Sequence, residues 1–371
     1  MSDLERRAQQ LSPERRRLLE LMLEKRSREE AETAPAAAAD AIPPRGPDDP
    51  RVLSYAQQRL WFIDQMQPGV PAYNIPSAVR LAGPLDPAVL ERCLNEIVRR
   101  HETLRTRFKL EGSAPVPVVA PERTIRLEVE DLERGAASPE AAEAEAKRRV
   151  DRLARTPFDL ENEDMLRVHL LRLGEGNHVL LVVMHHTVSD TWTTGVFLRE
   201  VAALYATFSQ GEPSPLPELP IQYVDYALWQ RRQYEMEDGP LQRQAAYWKD
   251  KLAAAPQLLE LPTDRPRPPV QSFRGGRVML RVSPELAKRL KARAAEEDAS
   301  FFMILLAAFQ VLLMRYTDQQ DVLVGSPIAN RDRVELEGLI GLFVNTLVLR
   351  GELDGNPEFR AFLRQVRETC L

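Results

Sequence analysis

The stretch Val179–Asp190, with the sequence VLLVVMHHTVSD, decides how the rest of the chain is interpreted. Its first six residues are apolar and rich in β-branched side chains, which is typical of a buried strand. His185 and His186 follow where this strand runs out into a loop, and loops carried by a rigid strand often hold functional side chains. Because neighbouring residues of an extended chain point to opposite faces, the two imidazoles should have different roles. We expect one to face a cavity and the other to pack inward.

The histidine pair also admits two other interpretations. The simplest is a strand end whose imidazoles have satisfied hydrogen bonds and no chemical role. A metal site is the second, because histidine is a common ligand. The pattern argues against a metal, since adjacent side chains diverge, His178 lies on the same strand, and Cys93 and Cys370 lie far away in sequence.

The composition is that of an ordinary globular chain. Its 371 residues suffice for two domains or two lobes, and a hydrophobic share of 44% provides a core. The net charge is −5, and no basic stretch is interleaved with aromatics as in nucleic-acid-binding proteins. Two cysteines exclude a disulfide framework and fit a reducing cytoplasm. The sequence has neither a signal peptide nor a membrane-length apolar run, so we expect a cytoplasmic protein that binds neither membrane nor nucleic acid.

The first fifty residues form two segments that are predicted to lie outside the folded body. Residues 1–31 are charged with a narrow apolar stripe, and Ser12-Pro13 supplies a helix N-cap and a first helical residue. This segment is either a solvated helix on its own domain or a docking helix for a partner chain. Residues 32–50 are rich in proline and alanine without periodicity, which indicates an extended, mobile linker. The folded body should then begin near Arg51.

Strands and helices are mixed over the rest of the chain without strict alternation, which favours an α/β or layered α+β fold. A proline-rich stretch at 211–220 divides it into a first lobe, 51–222, and a second lobe, 223–371. Strands are predicted at 73–81, 116–119, 125–129, 165–173, 179–184, 278–282, 321–325 and within 340–349. Helices are predicted from residue 54 and at 86–100, 139–154, 195–208, 223–252, 283–297, 300–316 and 357–369.

A second charged stretch, Arg100–Phe108, directly follows the predicted helix 86–100. Charges packed this densely beside a core helix indicate either a buried polar network or a solvated helix end. In both cases we expect His101 to be structural rather than catalytic.

Six stretches of the chain have the character of sequence motifs: Ser54–Trp61, Arg100–Phe108, Met184–Asp190, Tyr223–Gln230, Ala329–Arg331 and Ile340–Thr346. They resemble, in the same order, motifs of the condensation domains of nonribosomal peptide synthetases. Arg100–Phe108 is similar to RHExLRTxF, Met184–Asp190 to HHxxxDG and Ile340–Thr346 to IGxFVNT. The resemblance covers residues 51–371, and the number and order of the motifs make it specific.

The resemblance implies two lobes similar to chloramphenicol acetyltransferase, set in a V with the active site between them. It implies an acyltransferase-type reaction of secondary-metabolite and antibiotic biosynthesis, in which an acceptor amine attacks a donor thioester and an amide forms. The partners would be an upstream donor carrier, a downstream acceptor carrier and an adenylation domain. The chain itself would bind no cofactor, because the carriers deliver the phosphopantetheine arms.

The resemblance also implies roles for individual residues. His186 would take a proton from the attacking amine or orient that amine, and a positioned general base contributes roughly 10²–10⁴-fold. His185 would brace the loop. Asp190 would not contact substrate. As an acid beside a buried active site it would need a cation, and Arg105 and Arg331 are the two candidates.

Two features depart from the family pattern. Thr191 replaces the motif's glycine, whose freedom allows a close backbone approach or a positive φ, so a change in activity is expected. The chain ends at Leu371, where the family continues, so the second lobe is expected to be incomplete. Because the chain begins at Met1, the donor carrier is expected to act in trans, which favours the docking interpretation of residues 1–31.

Two alternatives to an amide-forming enzyme remain. A catalytically silent platform for carrier domains or tailoring enzymes is favoured by Thr191, but retention of His185 and His186 argues against it. A stand-alone acyltransferase using a thioester such as CoA would not need a docking helix. A cyclising relative would have an aspartate-rich motif in place of the histidines, and the sequence contains no such motif.

Overall fold

The computed structural model describes residues 41–371 except 238, 274 and 277, so the predicted helix within 1–31 lies outside the described residues. The fold is mixed α/β, as the sequence predicts. Its first half contains a four-stranded sheet, which consists of β1 (Asn74–Ala82), β4 (Glu128–Asp131), β5 (Leu166–Gly174) and β6 (Asn177–His185). The strand order is β1-β6-β5-β4, with β6 antiparallel to β1 and β5 and with β4 parallel to β5.

The first half also contains a β-hairpin and four helices. The hairpin consists of β2 (Thr106–Glu111) and β3 (Ala114–Val119), and short 3₁₀ turns lie at Pro71–Tyr73 and Glu102–Arg105. The helices are α1 (Tyr55–Met66), α2 (Pro87–Arg100), α3 (Pro139–Ala154) and α4 (Thr191–Phe208).

The position of β6 explains its continuous apolar sequence. It pairs on both sides, and every residue from Val179 to Met184 is buried, so neither face needs polar side chains. Helices α2 and α4 pack together over this sheet, and Leu94, Ile97 and Phe197 lie in the same buried core. Strand β1 is the sheet's edge, which is where a residue such as Pro76, with no N–H to donate, is tolerated.

The second half has fewer strands than the first among the described residues, and it has its own core. Its two strands pair antiparallel, and buried side chains of α8 and α10, including Ala307 and Leu363, pack on them. The elements are α5 (Tyr223–Tyr234), α6 (Pro240–Leu252), α7 (Pro284–Ala295), α8 (Phe301–Thr317), β7 (Asp321–Ile328), α9 (Val334–Glu337), β8 (Asn345–Glu352) and α10 (Phe359–Cys370).

A third apolar cluster joins the two sides of the predicted boundary at residue 222. It contains residues of α1, of α5 and of the segment Leu339–Phe343, called the junction segment below. Its buried members are Ile42, Leu60, Ile221, Tyr223, Tyr226, Leu336, Leu339, Leu342 and Phe343. The division into 51–222 and 223–371 stays a prediction, and this cluster shows that side chains from both parts share a core.

The linker predicted over 32–50 needs a correction for its described part, residues 41–50, called the N-terminal arm below. The arm has no helix or strand, but it is anchored rather than mobile. Ile42 is buried in the third cluster, and Arg45 donates hydrogen bonds to Asp225 at 3.1 Å and to Glu102 at 2.9 Å. The folded body therefore begins before Arg51.

Two predicted elements of the second half also differ from the structure. The helix predicted over 223–252 is broken between α5 and α6, where Gly239 caps α6. A Cβ at residue 239 would lie 2.9 Å from the carbonyl oxygens of Gln233 and Met236, so this turn requires glycine. The predicted strand 278–282 is irregular, with Val278 96% exposed, because β-forming sequence needs a neighbouring strand and none pairs with it among the described residues.

The first half shows smaller differences. Strand β2 was not predicted, β4 lies three residues later than expected, and α4 begins four residues earlier. Among the described residues, no helix combines the length and the apolar composition that crossing a bilayer requires.

Candidate active site

The two histidines lie where the central strand of the first sheet ends. The His185 N–H donates to the Met165 carbonyl at 3.1 Å, and the His186 N–H donates to the Tyr73 carbonyl at 2.8 Å. The start of the loop is therefore still held from both sides by the chains that lead into β5 and β1. A few residues further on, Asp190 caps α4.

The hydrogen bonding of His186 determines which ring nitrogen is basic. Its Nδ1 lies 2.6 Å from the carbonyl oxygen of Ser189. A carbonyl only accepts hydrogen bonds, so Nδ1 carries the proton of the neutral ring and Nε2 keeps its lone pair. The side chain is only partly buried. His186 thus offers a base at Nε2 from a fixed orientation.

His185 has the opposite environment. It is 4% exposed, the Thr187 N–H donates to its Nδ1 at 3.3 Å, and the rings of Tyr73 and Phe158 pack edge-on against it. Burial lowers the pKa of His185 to about 4, and the electrostatic effect of the neighbouring His186 acts in the same direction. The ring is therefore neutral near pH 7, and it holds the loop to the core.

Asp190 is buried, and its carboxylate accepts hydrogen bonds from several directions. It accepts from the backbone N–H of Thr193 at 2.8 Å and of Phe343 at 3.0 Å. The guanidinium of Arg331 lies 3.3 Å away, and its side chain is 1% exposed. Of the two candidate cations, Arg331 is the one that contacts Asp190.

Arg105 lies elsewhere. Its guanidinium donates to the Ala120 carbonyl and, at 3.5 Å, to the Arg99 carbonyl, and Glu102 lies 3.8 Å away. Arg105 therefore supports the start of the β2–β3 hairpin and does not touch the histidine loop.

Arg331 is also fixed by backbone groups of the second half. It donates to the carbonyls of Leu336 and Leu339, and its guanidinium stacks 4.0 Å from the Phe343 ring centroid. Burial lowers the pKa of Arg331 below its ordinary value, while Asp190 acts in the opposite direction. These contacts make the Asp190–Arg331 pair a link between the histidine loop and the junction segment.

Thr191 is the first residue of α4, and its backbone has no positive φ. Its side chain is exposed. A right-handed helical position does not need glycine's conformational freedom, so threonine leaves the loop unstrained. Any effect of Thr191 therefore comes from its side-chain volume.

The Arg100–Phe108 stretch does form a buried polar network. Arg100 Nε and His101 Nε2 each lie 2.9 Å from the Glu200 carboxylate, and the Ile340 N–H donates to His101 Nδ1 at 3.3 Å. Burial lowers the pKa of His101. Burial alone would raise the pKa of Glu200, but its contacts with His101 and Arg100 outweigh this and lower it. The network is structural, and it ties α2 and α4 to the junction segment.

Three further residues, Glu200, Gln57 and Ser54, support the elements around the site, and the sequence did not predict their roles. Glu200 gave no signal beyond being a lone acid on a predicted helix. Gln57 Nε2 donates to the Thr187 carbonyl at 3.1 Å, and the Ser54 hydroxyl lies 2.8 Å from the Tyr223 hydroxyl. Ser54 and Gln57 belong to the opening motif, which was noted for the resemblance without a role for either side chain.

Comparison with known proteins supplies the family. The family model of the condensation domain matches residues 49–371. Chondramide synthase cmdD of Chondromyces crocatus is 47% identical over 332 residues, which cover 90% of this chain and 8% of that protein. Phosphinothricin tripeptide synthetase PhsC of Streptomyces viridochromogenes is 40% identical over 376 residues, which cover 100% of this chain and 33% of that protein. The chain thus spans between 8% and 33% of the length of these two relatives.

Solved structures agree with this assignment. The X-domain from teicoplanin biosynthesis superposes with a TM-score of 0.79 at 28% identity, covering 89% of this chain and 71% of that one. The first condensation domain of the CDA synthetase superposes with a TM-score of 0.72 at 25% identity, covering 87% and 75%. On the strength of the match over residues 49–371, this chain belongs to the condensation-domain family of nonribosomal peptide synthetases.

Proposed function

We propose that this chain forms an amide bond between two carrier-bound substrates, with His186 as the working residue. The supporting observation is the hydrogen bond from His186 Nδ1 to the Ser189 carbonyl, which places the lone pair of the neutral ring on Nε2, and this ring is partly exposed. A general base needs an accessible lone pair, and the neutral ring in this tautomer offers one at Nε2.

The proposed reaction transfers the donor's acyl group from the thioester sulfur to the acceptor's amine nitrogen. The acceptor's amine nitrogen attacks the carbonyl carbon of the donor thioester, and a tetrahedral intermediate forms. Nε2 of His186 accepts the proton that the nitrogen must lose, or orients that nitrogen by accepting a hydrogen bond from it. The carbon–sulfur bond then breaks, the amide forms, and the thiolate leaves with the donor's arm and is protonated.

His185 and Asp190 would support this reaction without touching substrate. His185 is buried and neutral and braces the loop, while both oxygens of Asp190 already accept hydrogen bonds from protein groups. Arg331 would support Asp190. Thr191, exposed at the start of α4, would affect access to His186 through its volume.

Condensation domains of peptide synthetases work with carrier and adenylation domains, and the relatives of this chain are multidomain synthetases. We infer that the donor and acceptor reach this chain as thioesters on phosphopantetheine arms of two carriers, and that the chain binds no cofactor of its own. An upstream donor carrier acting in trans, and an adenylation domain that loads the acceptor, complete the proposal.

The test follows the mass of the acceptor carrier. An acyl-loaded donor carrier and an aminoacyl-loaded acceptor carrier, supplied as separate proteins, are mixed with the protein, and the joined product is measured by intact-protein mass spectrometry. The variants are His186→Ala and a matched control, His169→Ala, which removes a histidine of β5 outside the site. We expect the control to match the unmodified protein and His186→Ala to be slower by roughly 10²–10⁴-fold if His186 is the base.

The same experiment distinguishes the remaining possibilities. A loss of about tenfold or less favours orientation of the amine over proton transfer. An undiminished rate in His186→Ala contradicts the proposal. If the protein is inactive and Thr191→Gly restores product, the threonine volume is the cause.

A second candidate function is a recruitment platform without catalysis. It is favoured by the similarity to the teicoplanin X-domain, whose structure has also been solved in a complex with OxyB, at the same TM-score of 0.79. The tautomer of His186 argues against it, because a platform needs no base. Carriers that bind while no variant yields product would favour this second function.

A further inference from the structure

The side chain of Thr193, in the first turn of α4, makes an unusually complete set of contacts. Thr193 is fully buried. Its hydroxyl donates to the Gly341 carbonyl at 3.0 Å, accepts from the Gly341 N–H at 3.2 Å, and accepts from an N–H of Arg331 at 3.4 Å. One donor and two acceptor positions are all that a hydroxyl has, and all three are used here.

The partner of this hydroxyl, Gly341, is fixed from its other side by α5. A Cβ at residue 341 would lie 2.6 Å from Cε2 of Tyr223 and 2.9 Å from Cε2 of Phe343, so the backbone approaches these rings as closely as glycine allows. The Tyr223 hydroxyl donates to the carbonyl of the next residue, Leu342, at 2.7 Å. Thr193 therefore connects α4 to a backbone that has little freedom to move.

We propose that Thr193 is a positioning residue for the reaction: its hydroxyl fixes the start of α4, and through it the His186 loop, against the junction segment. This inference rests on the proposed function. Asp190 accepts from the Thr193 N–H, and the Ser189 carbonyl, one residue earlier, accepts from His186 Nδ1. A shift of the first turn of α4 would therefore reach the hydrogen bond that sets the tautomer of His186.

The contribution of Thr193 can be separated from that of the ion pair. Thr193→Val keeps the shape of the side chain but removes the hydroxyl, leaving both polar groups of Gly341 and one Arg331 N–H without this partner. The Asp190 carboxylate and its backbone donors stay in place. Any loss of rate therefore reflects a change in the position of the His186 loop and not the loss of the charge on Asp190. Thr193→Ser keeps the hydroxyl and removes only a methyl group.

The test compares these two variants with the unmodified protein in the carrier assay, at a temperature well below all three melting temperatures. We expect Thr193→Val to lower kcat by about tenfold or more while KM for the loaded carriers stays within about twofold, because sub-ångström misplacement acts on the chemical step. Thr193→Ser should restore most of kcat. Unchanged kcat in Thr193→Val would overturn the inference, even if its melting temperature falls.

A second readout does not depend on activity. The ¹⁵N chemical shifts of the His186 ring report which nitrogen carries the proton. We expect an Nδ1–H ring in the unmodified protein and in Thr193→Ser, and a mixture of tautomers in Thr193→Val. If neither the unmodified protein nor Thr191→Gly forms product, the proposed function fails, while this signal still decides the inference: identical ring shifts in Thr193→Val would overturn it.

Discussion

The burial of His185 predicts a specific loss of stability in mild acid. Its pKa is lowered from 6.5 to about 4, so the unfolded chain takes up a proton at a pH where the folded loop does not. Stability falls wherever the unfolded state binds more protons as the pH is lowered. The contribution of His185 is therefore complete above pH 6.5 and is lost progressively between pH 6.5 and pH 4.

The magnitude follows from the two pKa values. With 6.5 for the unfolded chain and about 4 for the folded one, linkage gives a loss of about 2 kcal/mol between pH 7.5 and pH 5.0. The loss would approach about 3 kcal/mol below pH 4. Either value is a large share of the roughly 5–15 kcal/mol that is typical of a folded domain.

Urea unfolding of the protein and of His185→Asn at pH 7.5 and pH 5.0 measures this term. Other groups, including His101, titrate in both proteins and cancel when the two changes are compared. Between pH 7.5 and pH 5.0, we expect the free energy of unfolding of the unmodified protein to fall by about 2 kcal/mol more than that of the variant. Equal losses in the two proteins, with equal urea dependence, would refute the view that His185 is held neutral by burial.

Three further predictions concern the contacts around the loop. Asp190→Asn leaves a buried guanidinium without its carboxylate, so the free energy of unfolding in urea should fall by about 3–5 kcal/mol, and a loss under about 1 kcal/mol would contradict the ion-pair assignment. Gly341→Ala should yield unfolded or insoluble protein, because the new methyl overlaps the ring of Tyr223. The control Gly338→Ala should show a circular-dichroism melt close to that of the unmodified protein, because the nearest neighbour of its methyl would lie 3.9 Å away. Arg45→Met should destabilise by about 1–2 kcal/mol, since its hydrogen bonds are charge-assisted but partly exposed, and should speed hydrogen exchange across the N-terminal arm; unchanged exchange there would show that the arm is held by other contacts.

The local pattern predicted the central part of the site well. A six-residue apolar run followed by His185 and His186 indicated a buried strand with a loop, and β6 has this structure. Side-chain alternation also predicted different environments for the two rings, and one is buried while the other is partly exposed. These features depend on short-range geometry, which the sequence encodes directly.

Long-range pairing was not predictable in the same way. Arg105 and Arg331 were equivalent candidates for Asp190, and only the fold shows that the cation 141 residues away makes the contact. Residue type cannot show which arginine pairs with Asp190, because both carry the same charge and both lie in motifs of the family. Glu200 was missed for the same reason, since its partners come from another helix.

Two errors have a common physical cause. The N-terminal arm was predicted to be mobile because of its prolines, yet the burial of Ile42 and the hydrogen bonds of Arg45 anchor it. The strand predicted at 278–282 has the right composition but no pairing partner among the described residues. Composition describes a segment in isolation, whereas anchoring and pairing depend on what the rest of the fold brings to it.

The N-terminal arm also determines where this family member can be recombined with others. An exchange junction at Arg51, where the motifs suggest that the folded body begins, would discard Ile42 and Arg45 and remove the guanidinium that binds both Glu102 and Asp225. A junction placed before Ala41 carries these contacts along. Chimaeric synthetases made with the two junctions would contain the same motifs, but only those joined before Ala41 would inherit a complete third cluster.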